Sequence, residues 1–240
     1  MPNQEKTKEK SLEEILYKEF QKINIEKEIW TMPKNSPIQL PSEMSAYEKN
    51  IYLKENLYKE MDNNKFLEIS FWIINSWGGI QLKNNERNNK RIQNFKEKLD
   101  NKNENLTKDE FSIISSLSKV ASFYKPEDYA IYDSRVIYSL NWIIFKNSLD
   151  SDFFPQPTGR NTSMMEYDQR TIFNLSERNV KYYSENVAYA EYCKLLRRIA
   201  LKNNVKIYEL EMFLFYIANT RIINNIKNSL SVTFNRSIDL

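Results

Sequence analysis

Histidine is absent from this 240-residue chain. Ser-His-Asp hydrolysis, Cys-His proteolysis and any histidine-ligated metal site are thereby excluded. Cys193 is the sole cysteine, so neither an internal disulfide nor a multi-cysteine metal site can form. Glycine occurs only three times, at Gly78, Gly79 and Gly159. Rossmann and P-loop phosphate cradles need several glycines at fixed spacing, and that spacing does not occur. No run of about 18 apolar residues is present, which argues against a membrane-spanning helix. The polar opening MPNQEKTKEK is unlike a secretory signal, so a cytoplasmic location is the expectation. The side chains left for chemistry are Asp, Glu, Lys, Tyr and Ser; no metal and no cofactor is expected.

Core material is plentiful. Hydrophobic residues make up 41% and aromatics 13%, enough for one large domain over residues 11–240, with a cleft if it is divided into two lobes. Residues 1–10 are charged and expected to fray. The net charge of +3 permits nucleic-acid binding without demanding it.

Apolar periodicity predicts a mainly α chain, with room only for short strands near the N-terminus. Leu12, Ile15, Leu16, Phe20 and Ile23 recur at helical spacing behind Ser11. Pro33, Pro37 and Pro41 mark an irregular connection over 31–43. Ser45 with Glu48 forms a capping box opening a helix to Met61, and Thr107 with Glu110 forms another opening a helix to Tyr124. Phe66 to Ile80 is apolar nearly all round and predicts a buried helix stopping at Gly78 and Gly79. Asp133 is placed to cap a helix over 134–146, followed by a loop over 148–162. Helices are expected over 184–202, 205–217 and 222–230.

Two basic clusters stand out. Between 84 and 108, Arg87, Lys90, Arg91, Lys96, Lys98, Lys102 and Lys108 outnumber the acids, as on a solvated helix or a phosphate-facing rim. Lys194, Arg197, Arg198 and Lys202 gather on one side of the 184–202 helix. Glu211 falls close to an apolar stripe and reads as a buried ion-pair partner, for an arginine nearby.

The segment SLSKVASFYKPEDYAIYDSRV, Ser116 to Val136, carries the chemistry. Lys119 sits at a helix start or turn, and Asp133 follows fourteen positions later at the mouth of the next helix. The stretches SKVASFY and YAIYDSRV resemble the lysine-bearing turn and the aspartate motif of the helix-hairpin-helix DNA glycosylase superfamily, and more narrowly bacterial proteins of the 8-oxoguanine glycosylase fold. NSWGGI and AEYCKLLRRIA…YELEMFLF are similar to the same proteins. The resemblance covers about two thirds of the chain and leaves the first 60 residues unassigned. It implies a helix-hairpin-helix bundle that excises a modified base from double-stranded DNA, with possible β-lyase activity, and suggests a place in anti-phage defence.

The residue types suit that chemistry. A lysine amine can attack C1′ of the sugar and form a Schiff base. A carboxylate can take the amine's proton and stabilise positive charge on the ribose. Trp72, Trp77, Phe123 and Tyr132, with Tyr129 and Trp142 behind them, are candidates to stack on a base taken out of the duplex. Ser116, Ser118, Arg135, Arg197 and Arg198 are candidates for the DNA backbone. The superfamily hairpin carries glycines before its lysine. Here Ile114, Ser115, Ser116, Leu117 and Ser118 stand there, and the lysine-to-aspartate gap is about one helical turn shorter. Read from residue types alone, Asp133 is equally an ordinary N-cap, Lys119 a surface lysine and each aromatic a piece of core. A binding module of the same fold without excision, holding DNA or a nucleotide, and an all-helical scaffold docking through its basic helix, are the competing functions.

Overall fold

A computed structural model describes residues 11–103, 105–159, 162–176 and 178–231. The expected frayed segment 1–10 lies outside these residues. Twelve α-helices occur among those described, with no strand; the nearest approach to a sheet is one parallel bridge between Phe153 and Tyr182.

The helices form where capping and apolar spacing direct them. Helix α1 (Leu12–Phe20) starts at Ser11, whose hydroxyl accepts from the Glu14 N–H. Helix α2 (Ala46–Asn56) opens on the Ser45–Glu48 capping box and runs on as a 3₁₀ turn to Glu60. Helix α3 (Phe66–Phe71) passes into a π-helical stretch, Trp72–Trp77, in which the Gly78 N–H reaches the Ile73 carbonyl at 2.8 Å. The expected single helix up to Gly78 is thus α-helical only in its first half. Helix α4 (Glu86–Asp100) fills most of the polar window.

The helix expected from Thr107 to Tyr124 is broken into α5 (Lys108–Phe111) and α6 (Ile114–Tyr124). Neither glycine nor proline announces the break. The Ser112 hydroxyl donates to the Asp109 carbonyl at 2.7 Å, a back-bond of the kind that competes with the helical ladder. Helix α7 (Ser134–Lys146) starts at Asp133, as expected. Two short helices, α8 (Thr162–Glu166) and α9 (Gln169–Leu175), were not apparent from apolar periodicity. Helices α10 (Glu185–Asn203), α11 (Ile207–Ile217) and α12 (Ile223–Ser229) follow, α10 closing on Asn204 in the left-handed region.

Buried side chains from Leu16 in α1 to Ile226 in α12 form one continuous core. Helix α7 lies against α11, and the Ser139 hydroxyl of the first donates to the Leu214 carbonyl of the second at 2.7 Å. Asn141 ties α7 to the following loop as a strand would: its amide donates to the Phe154 carbonyl at 2.8 Å and accepts from the Phe154 N–H at 2.9 Å.

Asn141→Leu keeps the volume but strands both Phe154 groups in the core. A loss of about 1–3 kcal/mol per orphaned group is expected by chemical denaturation; a change near zero would show that water replaces the amide.

Candidate active site

The segment Ala130–Asp133 lies outside any helix and is buried, so its backbone needs partners that no helical ladder supplies. Side chains provide them. The Tyr189 hydroxyl donates to the Ala130 carbonyl at 3.2 Å and the Tyr192 hydroxyl to the Ile131 carbonyl at 2.9 Å. The Ile131 N–H donates to Glu211 Oε2 at 2.8 Å, and the Tyr132 N–H to Ser118 Oγ at 2.9 Å. Helices α6, α10 and α11 thus hold this segment, and with it the position of Asp133. Asp133 Oδ1 accepts from the Val136 N–H at 3.0 Å, which leaves Oδ2 to face the site.

Lys119 lies in the interior of α6, not at a helix start as its sequence suggested. Its Nζ is 3.8 Å from Asp133 Oδ2 and donates to the Ser115 carbonyl at 3.1 Å. Gly78 makes room for it: a Cβ there would stand 2.7 Å from Lys119 Cδ and 2.9 Å from both Lys119 Cε and the Ile74 carbonyl. The π-helical stretch brings Gly78 to this place, a use such stretches often have near sites.

A second pair lies beside the first. Lys54 of α2 is fully buried, with Nζ 3.1 and 3.4 Å from the Glu211 carboxylate oxygens and 3.1 Å from Ser122 Oγ. The ammonium also faces the rings of Phe123 at 5.1 Å and Trp77 at 5.7 Å. Burial pushes the Lys54 ammonium below its ordinary range, against the pull of Glu211. Burial likewise raises the Glu211 carboxyl, against the pull of Lys54 and the Ile131 N–H.

Lys119, Asp133, Lys54 and Glu211 all line one cavity of about 150 Å³, completed by Trp30, Thr31, Asn50, Trp77, Gly78, Ile131, Met212 and Phe215. The structure therefore joins Lys119, Asp133 and Trp77. It separates them from the other aromatics. Trp72 donates its ring N–H to the Asn35 carbonyl, and Phe123 packs edge-on behind Trp77 at 4.8 Å. Tyr132 is core, its hydroxyl on the Pro155 carbonyl, as are Tyr129 against Tyr189 and Trp142 against Phe145. None of these lines the cavity.

The backbone candidates divide similarly. Ser116 and Ser118 are buried, and Ser118 is spent on Tyr132, so neither presents a hydroxyl to a phosphate. Arg135 stacks on Phe215 at 4.7 Å, beside the cavity, and no carboxylate among the described residues pairs with it. Arg198 pairs with Glu13 and Arg197 approaches Asp128 at 3.9 Å, both away from the cavity lining. In the 84–108 window, Arg87 and Arg91 converge on Asp109, Lys96 pairs with Asp100 and Lys98 with Glu110, which removes most of the expected basic excess. No group of three or more potential ligands for a metal occurs among the described residues, and no described helix is long and apolar enough to cross a membrane.

Lys54, Asn50, Trp30 and Thr31 escaped the sequence reading because they come from the unassigned first 60 residues. Glu211 is the buried ion-pair partner its position suggested, but it serves a lysine from α2 in place of the expected arginine. No protein-family model, curated protein or solved structure matches the chain.

Lys54→Met leaves the Glu211 carboxylate buried without its cation, a loss of about 3–5 kcal/mol. A carboxyl whose folded pKa is raised contributes most below its unfolded value, near 4.3, and loses that contribution as pH rises through the folded value. The deficit of Lys54→Met in denaturant melts is therefore expected to be smaller at pH 5 than at pH 8. Adding Glu211→Gln, which keeps an acceptor for Ile131, is expected to remove that pH dependence. A deficit that does not vary with pH would mean that Glu211 is charged in the folded variant across this range, as it is in the unfolded chain, and would contradict the raised carboxyl.

Proposed function

We propose that this chain is a lysine-dependent DNA N-glycosylase with associated lyase activity, built on a helix-hairpin-helix glycosylase-like bundle. The observation that carries the reading is the meeting of Lys119 Nζ and Asp133 Oδ2 at 3.8 Å, in a cavity walled by Trp30, Trp77 and Phe215. Two residues fourteen positions apart, chosen for their order and context, come together at an aromatic cavity.

In the proposed reaction the Lys119 amine, as its free base, attacks C1′ of the nucleotide. The Nζ–C1′ bond forms as the C1′–base bond breaks. The bonding pair leaves with the base, which takes a proton from solvent. Asp133 Oδ2 accepts the proton released by the alkylated amine and stabilises positive charge on the sugar in the transition state. It then returns that proton to O4′ as the C1′–O4′ bond opens, which leaves a protonated Schiff base between Lys119 and C1′. Trp77, fixed by its ring N–H on Asn50 Oδ1 at 2.7 Å, offers the flipped base an aromatic wall. Arg135, stacked on Phe215 beside the cavity with no carboxylate partner among the described residues, is positioned for a flanking phosphate. The partner in this reading is DNA carrying a modified base, met in the cytoplasm, with phage DNA as one source.

A second reading, binding of DNA or a nucleotide without excision, is favoured by one contact: the Lys119 amine is already held by the Ser115 carbonyl. Borohydride trapping on heavily modified DNA separates the two. A covalent adduct is expected that Lys119→Gln abolishes and Asp133→Asn lowers by about 10²–10⁴-fold. If no Lys119-dependent adduct or abasic site forms, while salt-dependent DNA binding survives both substitutions, the binding module is the better account.

A further inference from the structure

Resting on the excision reading, we propose that the base taken by this site is a single ring bearing a ring carbonyl, a uracil-type pyrimidine, and not a purine. Size comes first. The cavity beside Lys119 and Asp133 holds about 150 Å³. An apolar protein cavity of about that volume takes up one benzene. A pyrimidine is one six-membered ring with small substituents, whereas a purine adds a fused second ring.

The inner walls have little freedom to widen, while the half-buried Trp30 and Phe215 and the exposed Thr31 stand at the mouth. Ile131 and Met212 are 4% exposed. Ile131 belongs to the segment pinned by Tyr192 and Glu211, and Trp77 is fixed between Asn50 and Phe123. Retreat of the Lys54 or Glu211 side chain would break the buried ion pair.

Polarity supplies the carbonyl. Asn50 is buried and lines the cavity. Its oxygen is taken by the Trp77 ring N–H, and that bond fixes which end of the amide is oxygen. One amide hydrogen is held by the Ala46 carbonyl at 2.8 Å; the other reaches the Thr31 carbonyl only at 3.4 Å. That second hydrogen is a weakly engaged donor of the site. A bond so long is readily exchanged for one to a base carbonyl. A uracil-type ring presents such a carbonyl, with an adjacent N–H that can answer an acceptor.

The test is borohydride trapping by the wild-type chain on duplex and single-stranded oligonucleotides carrying uracil, 5-hydroxymethyluracil, 8-oxoguanine, hypoxanthine or a preformed abasic site. Adducts with the two pyrimidines are expected to exceed those with the two purines by about tenfold or more, the low end of what one misfit group costs in a shaped pocket. Met212→Ala, which enlarges the cavity, is expected to narrow that ratio. Equal or preferential trapping on the purines would overturn the proposal and leave excision standing. Trapping on the abasic site alone would overturn it as well, since no base would be taken. No adduct on any substrate, the abasic site included, would remove the excision reading and this inference together.

Discussion

Lys54 and Glu211 stand 157 positions apart in the chain and face each other with almost no access to water. Such a pair is costly to bury, because each charge gives up its hydration, and it persists only when every remaining polar contact is satisfied. Here they are satisfied by Ser122, by the Ile131 N–H and by two aromatic faces. The pair therefore fixes more than itself. It joins α2 to α11, holds α6 through Ser122, and pins the segment that ends in Asp133. The placement of Asp133 opposite Lys119 follows from these restraints.

The two lysines of the cavity are held differently, and the proposed reaction gives them different roles. Lys54 Nζ has a carboxylate and a hydroxyl within hydrogen-bond reach. Lys119 Nζ has one carbonyl of its own helix, and a carboxylate at 3.8 Å, within ion-pair range but beyond hydrogen-bond reach. A nucleophile must leave its resting contacts to reach a sugar carbon, and the amine with fewer contacts has less to lose. Gly78 adds to this by leaving the Lys119 stem free of a side chain that would displace it. In the proposed reaction one lysine holds the architecture and the other is the nucleophile.

Much of the helical layout was legible in the sequence because it is written in local signals. Ser45 with Glu48, Thr107 with Glu110, and Asp133 before an apolar run all mark helix starts by side-chain chemistry that acts within one turn. The Lys119–Asp133 meeting was also suggested by order and context. What escaped were effects settled by tertiary contacts. The break at Ser112, the π-helical stretch before Gly78 and the short α8 and α9 carry no strong periodicity. Lys54 reads in sequence as one polar residue in the helix that Ser45 opens, and only the fold reveals Glu211 as its partner. Burial also decided against Ser116 and Ser118, whose hydroxyls looked like donors for a phosphate; that of Ser118 instead bonds α6 to the Asp133 segment.

The central claim is that Lys119, and not its neighbour Lys54, is the amine that reacts. Peptide mapping by mass spectrometry of the borohydride-reduced adduct with duplex DNA bearing an abasic site reads this directly. The account predicts a single modified site at Lys119, with Lys54 unmodified in the same digest. An adduct on Lys54, or one scattered over the exposed lysines with none at Lys119, would contradict it.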